Sequence, residues 1–304
     1  MSFLEAVSQS LIYGILIGGL YGLAALGLSL VFGVMKYLNV AHGSLIMIGS
    51  YLTFLLFSLC RINLFLAIPI VMLNLFIIGL ILYKIMFSPL AKFSIEARTD
   101  NSLLISFGLM LAIDNLAAMI WTADERIVIT PLSGITFGIF GLRVPSVGLI
   151  SLGLALFFAF SLHLFLGKTR FGKAIRATSQ DWEAATTLGV NIGYTYLISF
   201  GISTALAGIA GALLSLNYAF NPSISEGWSI KALIIITLAG LGRIGGVFAA
   251  GLILGAVEAV SVYFIGASNQ QVVGLVIFIL LLLFRPQGLF VKPARERRRW
   301  HLIK

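Results

Sequence analysis

In a chain of 304 residues that is 60% hydrophobic, the groups able to do chemistry are few and stand out against apolar neighbours. Asp114, His163 and Glu258 interrupt apolar runs, His42 follows a short Asn-Val-Ala stretch, and Cys60 is the lone cysteine. An ionised carboxylate in apolar surroundings is costly and is normally paired or turned toward a cavity. Three widely separated histidines and one cysteine supply neither a set of metal ligands nor a nucleophile with its base, which argues against a membrane enzyme. Cys60 therefore reads as a packing residue. Gly167-Lys168-Thr169 looks like the end of a phosphate-binding loop. The glycine required five residues earlier is Leu162, and no strand-loop-helix unit surrounds it, so it is not an ATP site.

The elements that position these groups are helices on the length scale of a bilayer. A hydrocarbon core about 30 Å thick takes about 20 apolar helical residues. Nine runs bounded by charge, proline or Gly-Asn-Ser clusters approach that size: 11–33, 45–60, 64–83, 102–121, 146–166, 194–219, 231–242, 247–264 and 271–284. The first is too long for a signal-peptide core and has no basic residue before Lys36, so it reads as a retained span. The seventh and ninth are short, and a short, glycine-interrupted segment reads as a broken or re-entrant helix beside a pathway. The expectation is an all-α integral membrane protein: a polytopic helical bundle of eight to nine transmembrane helices, with residues 1–304 as one domain.

The 20 Lys and Arg against 11 acids lie between apolar runs, not on one face, which is the positive-inside pattern and excludes a nucleic-acid partner. Lys84, Lys92 and Arg98, then Lys168, Arg170, Lys173 and Arg176, then the basic tail 285–304 all belong inside. Two spans separate the first pair of segments and four the second. The topology closes with the N-terminus outside and the C-terminus cytoplasmic.

Residues 122–145 carry Thr130-Pro131 and then alternate Ile135, Phe137 and Ile139 up to Arg143 and Pro145, which predicts a small hairpin over the helices. The loop 167–193 contains a helix-compatible piece from Ser179 to Val190. Ser179 suits an N-cap, Asp181 and Glu183 put negative charge in the first turn, Ala184, Ala185 and Leu188 give one small apolar side, and Gly189 suits a stop. Such a helix is either a connector or a piece that docks into a partner's groove. Asn39 to Ser44 is a polar, small-residue junction between spans. Asn39, His42, Gly43 and Ser44 either line the inner part of a translocation path or, for His42, merely satisfy a nearby carbonyl. Glu258 is open to a structural hydrogen bond or to substrate contact, and His163 is interfacial. Glycines at 14, 18 and 22, and again at 251 and 255, permit close backbone approach, within the chain or against a second subunit. Gly43 and Gly49 repeat the separation of Gly245 and Gly251, a hint of an internal repeat.

Glu183-Ala184-Ala185-Thr186-Thr187-Leu188-Gly189 resembles the Glu-Ala-Ala-x-x-x-Gly loop of permease subunits of ATP-binding-cassette importers. Asn39-Val40-Ala41-His42-Gly43 with Met47-Ile48-Gly49-Ser50-Tyr51 resembles the first block of the branched-chain amino-acid permeases of that class. Leu241-Gly242-Arg243-Ile244-Gly245-Gly246 and Leu252-Ile253-Leu254-Gly255-Ala256-Val257-Glu258 resemble the last block, followed by Arg285-Pro286-Gln287-Gly288-Leu289.

The resemblance spans nearly the whole chain and implies a permease that holds no cofactor and catalyses nothing itself. A second homologous permease subunit, identical or not, would share the pathway in a bacterial cytoplasmic membrane. Two cytoplasmic ATPases would bind the ATP, and a periplasmic or lipid-anchored binding protein would deliver leucine, isoleucine or valine. The coupling residues would be Asp181, Glu183, Ala184, Ala185, Leu188 and Gly189. Asp114 departs from the family pattern. Related permeases carry other amino acids, urea or short amides. A stand-alone secondary transporter or channel would instead show an ionisable relay or a filter, for which only scattered candidates exist.

Overall fold

Each of the nine expected runs holds a helix in the computed structural model, which describes residues 3–139, 141–285 and 287–290. Pro286 and the basic tail from residue 291 onward lie outside the described residues. In chain order the elements are α1 (Phe3–Met35), α2 (His42–Ser58), α3 (Leu64–Leu82), α4 (Ile95–Trp121), the hairpin β1 (Thr136–Ile139) and β2 (Leu142–Pro145), α5 (Ser146–Lys168), α6 (Arg170–Gln180), α7 (Trp182–Thr187), α8 (Ile192–Asn217), α9 (Ile224–Ala239), α10 (Val247–Ile265) and α11 (Gln270–Phe284). Among the described residues six helices are long and apolar enough to cross a bilayer: α1, α3 with its continuation to Lys92, α4, α5, α8 and α10. The apolar helices α2 and α11 are shorter. β1 and β2 pair antiparallel, with Phe137 opposite Val144, as the alternation predicted.

α1 and α8 form the centre, and the most apolar window of each is 83% buried. In an apolar solvent, burying leucine gains little, so helices associate through close packing of small residues. The glycine stripes show this directly. A Cβ on Gly251 would lie 2.4 Å from the Gly22 Cα, and one on Gly255 would lie 2.5 Å from the Gly18 Cα and the Gly14 carbonyl oxygen. The two stripes face each other, so they seal α1 to α10 within the chain. α2 is held against α8 in the same way, with Gly49 over the Gly208 backbone and Gly211 over the Ile46 carbonyl.

Two full-length helices are each followed by an extended stretch that doubles back. α1 ends at Met35, Lys36 adopts φ +60°, and the chain returns along α1. His42, first residue of α2, places Nε2 2.8 Å from the Ala24 carbonyl oxygen. Ala24 lies eleven residues before Met35, about 16 Å back along the axis at 1.5 Å per residue, so α2 starts midway along α1. At the other end, α8 stops at Asn217 and residues 218–223 turn back before α9 begins. Phe220 exchanges backbone hydrogen bonds of 2.9 and 2.8 Å with Arg126, and Val128 N–H donates to the Ser215 carbonyl, so the loop before the hairpin satisfies this turn. α9 starts seven residues earlier than the apolar run 231–242 predicted. Its first half is polar because Ser225, Ser229 and Lys231 each have a partner inside the bundle.

Candidate functional site

The N-termini of α2 and α9 meet in the middle of the bundle, each helix running away from the junction toward opposite ends. Gly43 N–H donates to Ser229 Oγ at 3.0 Å, and Ser229 Oγ donates to the Val40 carbonyl at 2.6 Å. Only glycine fits at 43, because a Cβ there would collide with the Ser225 carbonyl.

The extended stretch 36–41 lies along α4, which serves as its hydrogen-bond partner. Thr99 Oγ1 donates to the Lys36 carbonyl, Leu38 N–H donates to Ser102 Oγ at 2.8 Å, and Val40 N–H donates to Ser106 Oγ at 3.0 Å. The match is geometric. Four helical residues rise about 6 Å, and two extended residues span nearly the same distance, so serines four apart meet alternate amides.

About two turns further along α4, Asp114 Oδ2 accepts from Ser225 Oγ at 2.5 Å, and Ser44 faces the same carboxylate. Both serines sit in first helical turns, so a negative group lies between two positive helix ends. That gives the carboxylate that interrupts the fourth span a structural reason. Asn39, His42 and Ser44 are all enclosed, at 1%, 0% and 0% exposure. His42 satisfies the Ala24 carbonyl, while both amide atoms of Asn39 and His42 Nδ1 have no partner among the described residues.

Glu258 is 1% exposed and sits one helix away. Its Oε2 accepts from Lys231 Nζ at 2.7 Å, from Tyr21 OH at 2.9 Å and from Gln270 Nε2 at 3.4 Å. Lys231 Nζ also donates to Tyr21 OH at 2.7 Å and lies over the same ring. A single carboxylate oxygen thus gathers α1, α9, α10 and the start of α11.

At the end that carries α6 and α7, the expected helix 179–190 is two helices joined at Asp181. Asp181, not Ser179, is the N-cap: its Oδ1 accepts from Glu183 N–H and Ala184 N–H at 3.0 Å each. Ser179 belongs to the last turn of α6, where its hydroxyl donates to the Arg176 carbonyl. Gly189, with φ +82°, closes α7: its N–H donates to the Thr186 carbonyl and Val190 N–H donates to the Ala185 carbonyl, the paired bonds of a left-handed helix stop. The apolar side also differs from expectation. Ala185 turns inward, 1% exposed, while Ala184 and Leu188, about 40° apart around the axis at 3.6 residues per turn, point outward, with Leu188 82% exposed.

Residues 10–284 match the family described as the permease component of branched-chain amino acid transport systems. The chain belongs to that family. It is 30% identical over 298 residues to the high-affinity branched-chain amino acid transport permease BraD of Pseudomonas aeruginosa, covering 95% of this chain and 97% of that one. It is 27% identical over 305 residues to LivH of Escherichia coli K12, with the same coverage. It is 30% identical over 288 residues to a probable LivH of Methanocaldococcus jannaschii, covering 90% of each. No solved structure matches the chain. This permease is therefore a multi-pass membrane protein and a transport subunit, not an enzyme.

Sequence reasoning missed four partner residues in the permease. Lys231 sat at the edge of an apolar run and read as a boundary; two opposite charges, each inside an apolar stretch, were the signal that they pair. Arg98 read as an inside charge, yet it is 6% exposed. Ser102 and Ser106 carried a signal in their spacing of one turn on an otherwise apolar helix.

Proposed function

We propose that this chain is a pathway-forming subunit of an ATP-binding-cassette importer for leucine, isoleucine or valine. The observation that carries the reading is α7, a six-residue helix capped at both ends on the stretch Asp181 to Gly189. A leucine as open as Leu188 on a polar connector suits a groove on a partner, and the relatives that match nearly the whole chain are named as branched-chain amino acid transport permeases.

In this reading residues 1–304 form one permease domain, 167–193 is its coupling segment, and Asp181, Glu183, Ala184, Leu188 and Gly189 form the surface that meets the ATPase, while the buried Ala185 seats α7 against the bundle from beneath. The end carrying α6, α7 and the tail 285–304 lies in the cytoplasm, with the N-terminus outside, in a bacterial cytoplasmic membrane. The chain crosses nine times, and two crossings are composite: 36–41 with α2, and 218–223 with α9. ATP is bound by two separate ATPase subunits, so this chain needs no cofactor. A second homologous permease, identical or not, completes the pathway, and a periplasmic or lipid-anchored binding protein supplies the amino acid.

Asn39, His42, Gly43 and Ser44 line the path when the α2–α9 junction opens. An unpaired buried polar group costs roughly 1–3 kcal/mol, so the enclosed Asn39 amide favours an opening that hydrates it. Glu258 holds α9 against α1 and α10. The test is reconstitution with an ATPase and a binding protein from the same organism that co-purify with the chain, measuring ATP-dependent uptake of labelled leucine with isoleucine, valine, urea and short amides as competitors. Uptake that persists without any ATPase overturns the reading, and competition by urea but not by isoleucine or valine overturns the substrate class.

A further inference from the structure

α4 and α5 share the shallowest burial of the long apolar helices among the described residues: 22% of the most apolar window of each is buried, against 83% for α1 and α8. On α4, Leu104, Phe107, Leu116 and Met119 face outward. What holds it is a row of discrete polar contacts along one edge. At its first turn Arg98 is buried: Nε donates to the Phe93 carbonyl at 2.8 Å, Nη2 to the Ala91 carbonyl at 2.6 Å and Nη1 to Tyr196 OH at 3.3 Å. The same guanidinium lies 5.3 Å from the ring of Trp182, the first residue of α7. Further along, Thr99, Ser102 and Ser106 hold the extended stretch 36–41, and Asp114 holds the start of α9.

We infer that α4 is the element that carries movement of α7 to the α2–α9 junction, and that Arg98 is its positioning residue. This rests on the reading of α7 as the surface that meets the ATPase. A helix with little buried apolar area can shift as a rigid body without opening a packed core. The α1–α10 glycine seam, in contrast, has no slack for a shift. The Arg98 fork joins the two systems. Its cation–π face reads Trp182, and its hydrogen bonds fix the base of the helix that grips residues 36–41. Displacing Trp182 therefore displaces the serine row, and the junction opens or closes with it.

The experiment uses the full importer, with ATPase and binding protein, in proteoliposomes. It compares Arg98→Gln, Arg98→Lys and Trp182→Leu by the ratio of ATP hydrolysis with and without loaded binding protein, and by amino acid taken up per ATP. Residues that carry coupling without touching a ligand change it about 2- to 30-fold. Arg98→Gln and Trp182→Leu are expected to lower both ratios within that range, with Arg98→Lys between them and wild type. Unchanged ratios overturn the inference.

A second measurement does not depend on how the variants fold. In a Cys60→Ser background, spin labels at Thr187 on α7, outside the ATPase-facing set, and at Leu104 should keep their separation between nucleotide-free and ATP-trapped states, while the separation of Leu104 from Phe157 on α5 changes. The opposite pattern overturns the inference even if every variant is inactive. Failure of any ATPase to co-purify with the unmodified chain would instead remove the reading on which it rests.

Discussion

Lys231→Met is the sharpest perturbation of this permease. It removes the Nζ donor 2.7 Å from Glu258 Oε2 and 2.7 Å from Tyr21 OH, and leaves a carboxylate that is 1% exposed. Breaking one half of a buried pair costs about 3–5 kcal/mol. Tyr21 OH and Gln270 still donate to the same oxygen, and Lys231 itself is 13% exposed, so the lower figure of about 3 kcal/mol applies. Glu258→Gln alone strands the ammonium and should cost a similar amount. The double variant strands neither, keeps an acceptor for Tyr21, and should fall within about 1 kcal/mol of wild type, since a buried pair replaced together is often near neutral. The double-mutant cycle should therefore show non-additivity of several kcal/mol. The assay is reversible unfolding in mixed micelles, followed by fluorescence; Trp228 lies 5.4 Å from Tyr21 and reports locally. A neutral interhelical hydrogen bond in a bilayer averages about 0.6 kcal/mol in such cycles. A coupling that small, with additive single variants, would refute the view that charge pairing ties α9 to α1 and α10.

Other outcomes are expected from the same geometry. Gly255→Val would drive a side chain into the α1 backbone at Gly14 and Gly18 and should abolish monodisperse protein on size-exclusion chromatography, while Gly153→Val, with open space around its Cα, should leave the elution profile unchanged. Gly189→Ala meets no steric obstacle, since nothing lies within 4 Å of its Cβ, but it forces a side chain into φ +82° at a cost of about 1–2 kcal/mol. Faster amide exchange over 182–188 and weaker ATPase co-purification should follow. Ser229→Ala orphans the Gly43 amide and frees the Val40 carbonyl; about 1–3 kcal/mol of lost stability should appear as a lower melting temperature. His42→Ala should alter uptake kinetics, and unchanged kinetics would remove His42 from the path.

The helices were legible because a bilayer selects apolar length, and that quantity is additive along the chain: all nine runs hold one. The hairpin was legible because alternation has a period of two. The junction was only half visible. Asn39 to Ser44 announced a polar break, but its counterpart at 218–223 did not, because Tyr218 and Ala219 read as the continuing end of an apolar helix. What turns the chain there is a backbone pairing with Arg126, ninety-four residues away, and no local composition encodes it. The cap of α7 was displaced from Ser179 to Asp181 for a related reason: two residues on either side of Gln180 have side chains suited to the role, and the choice was made by α6, which runs on through Ser179. Glu258 was left open between a structural hydrogen bond and substrate contact, and its partner lay hidden because helical polar residues at 225, 229 and 231 made the first half of α9 look like a loop.

The glycine seam between α1 and α10 also sets an order of events in biosynthesis. Gly18 waits for Gly255, 237 positions later. At 5–20 residues per second, α1 stands in the bilayer for roughly 10 to 50 s before its partner is made. Through that interval its small-residue face is open to any other helix with a matching stripe, a neighbouring nascent copy included. Assembly of the permease is therefore most exposed to error at its earliest helix and is secured only when one of its last helices arrives.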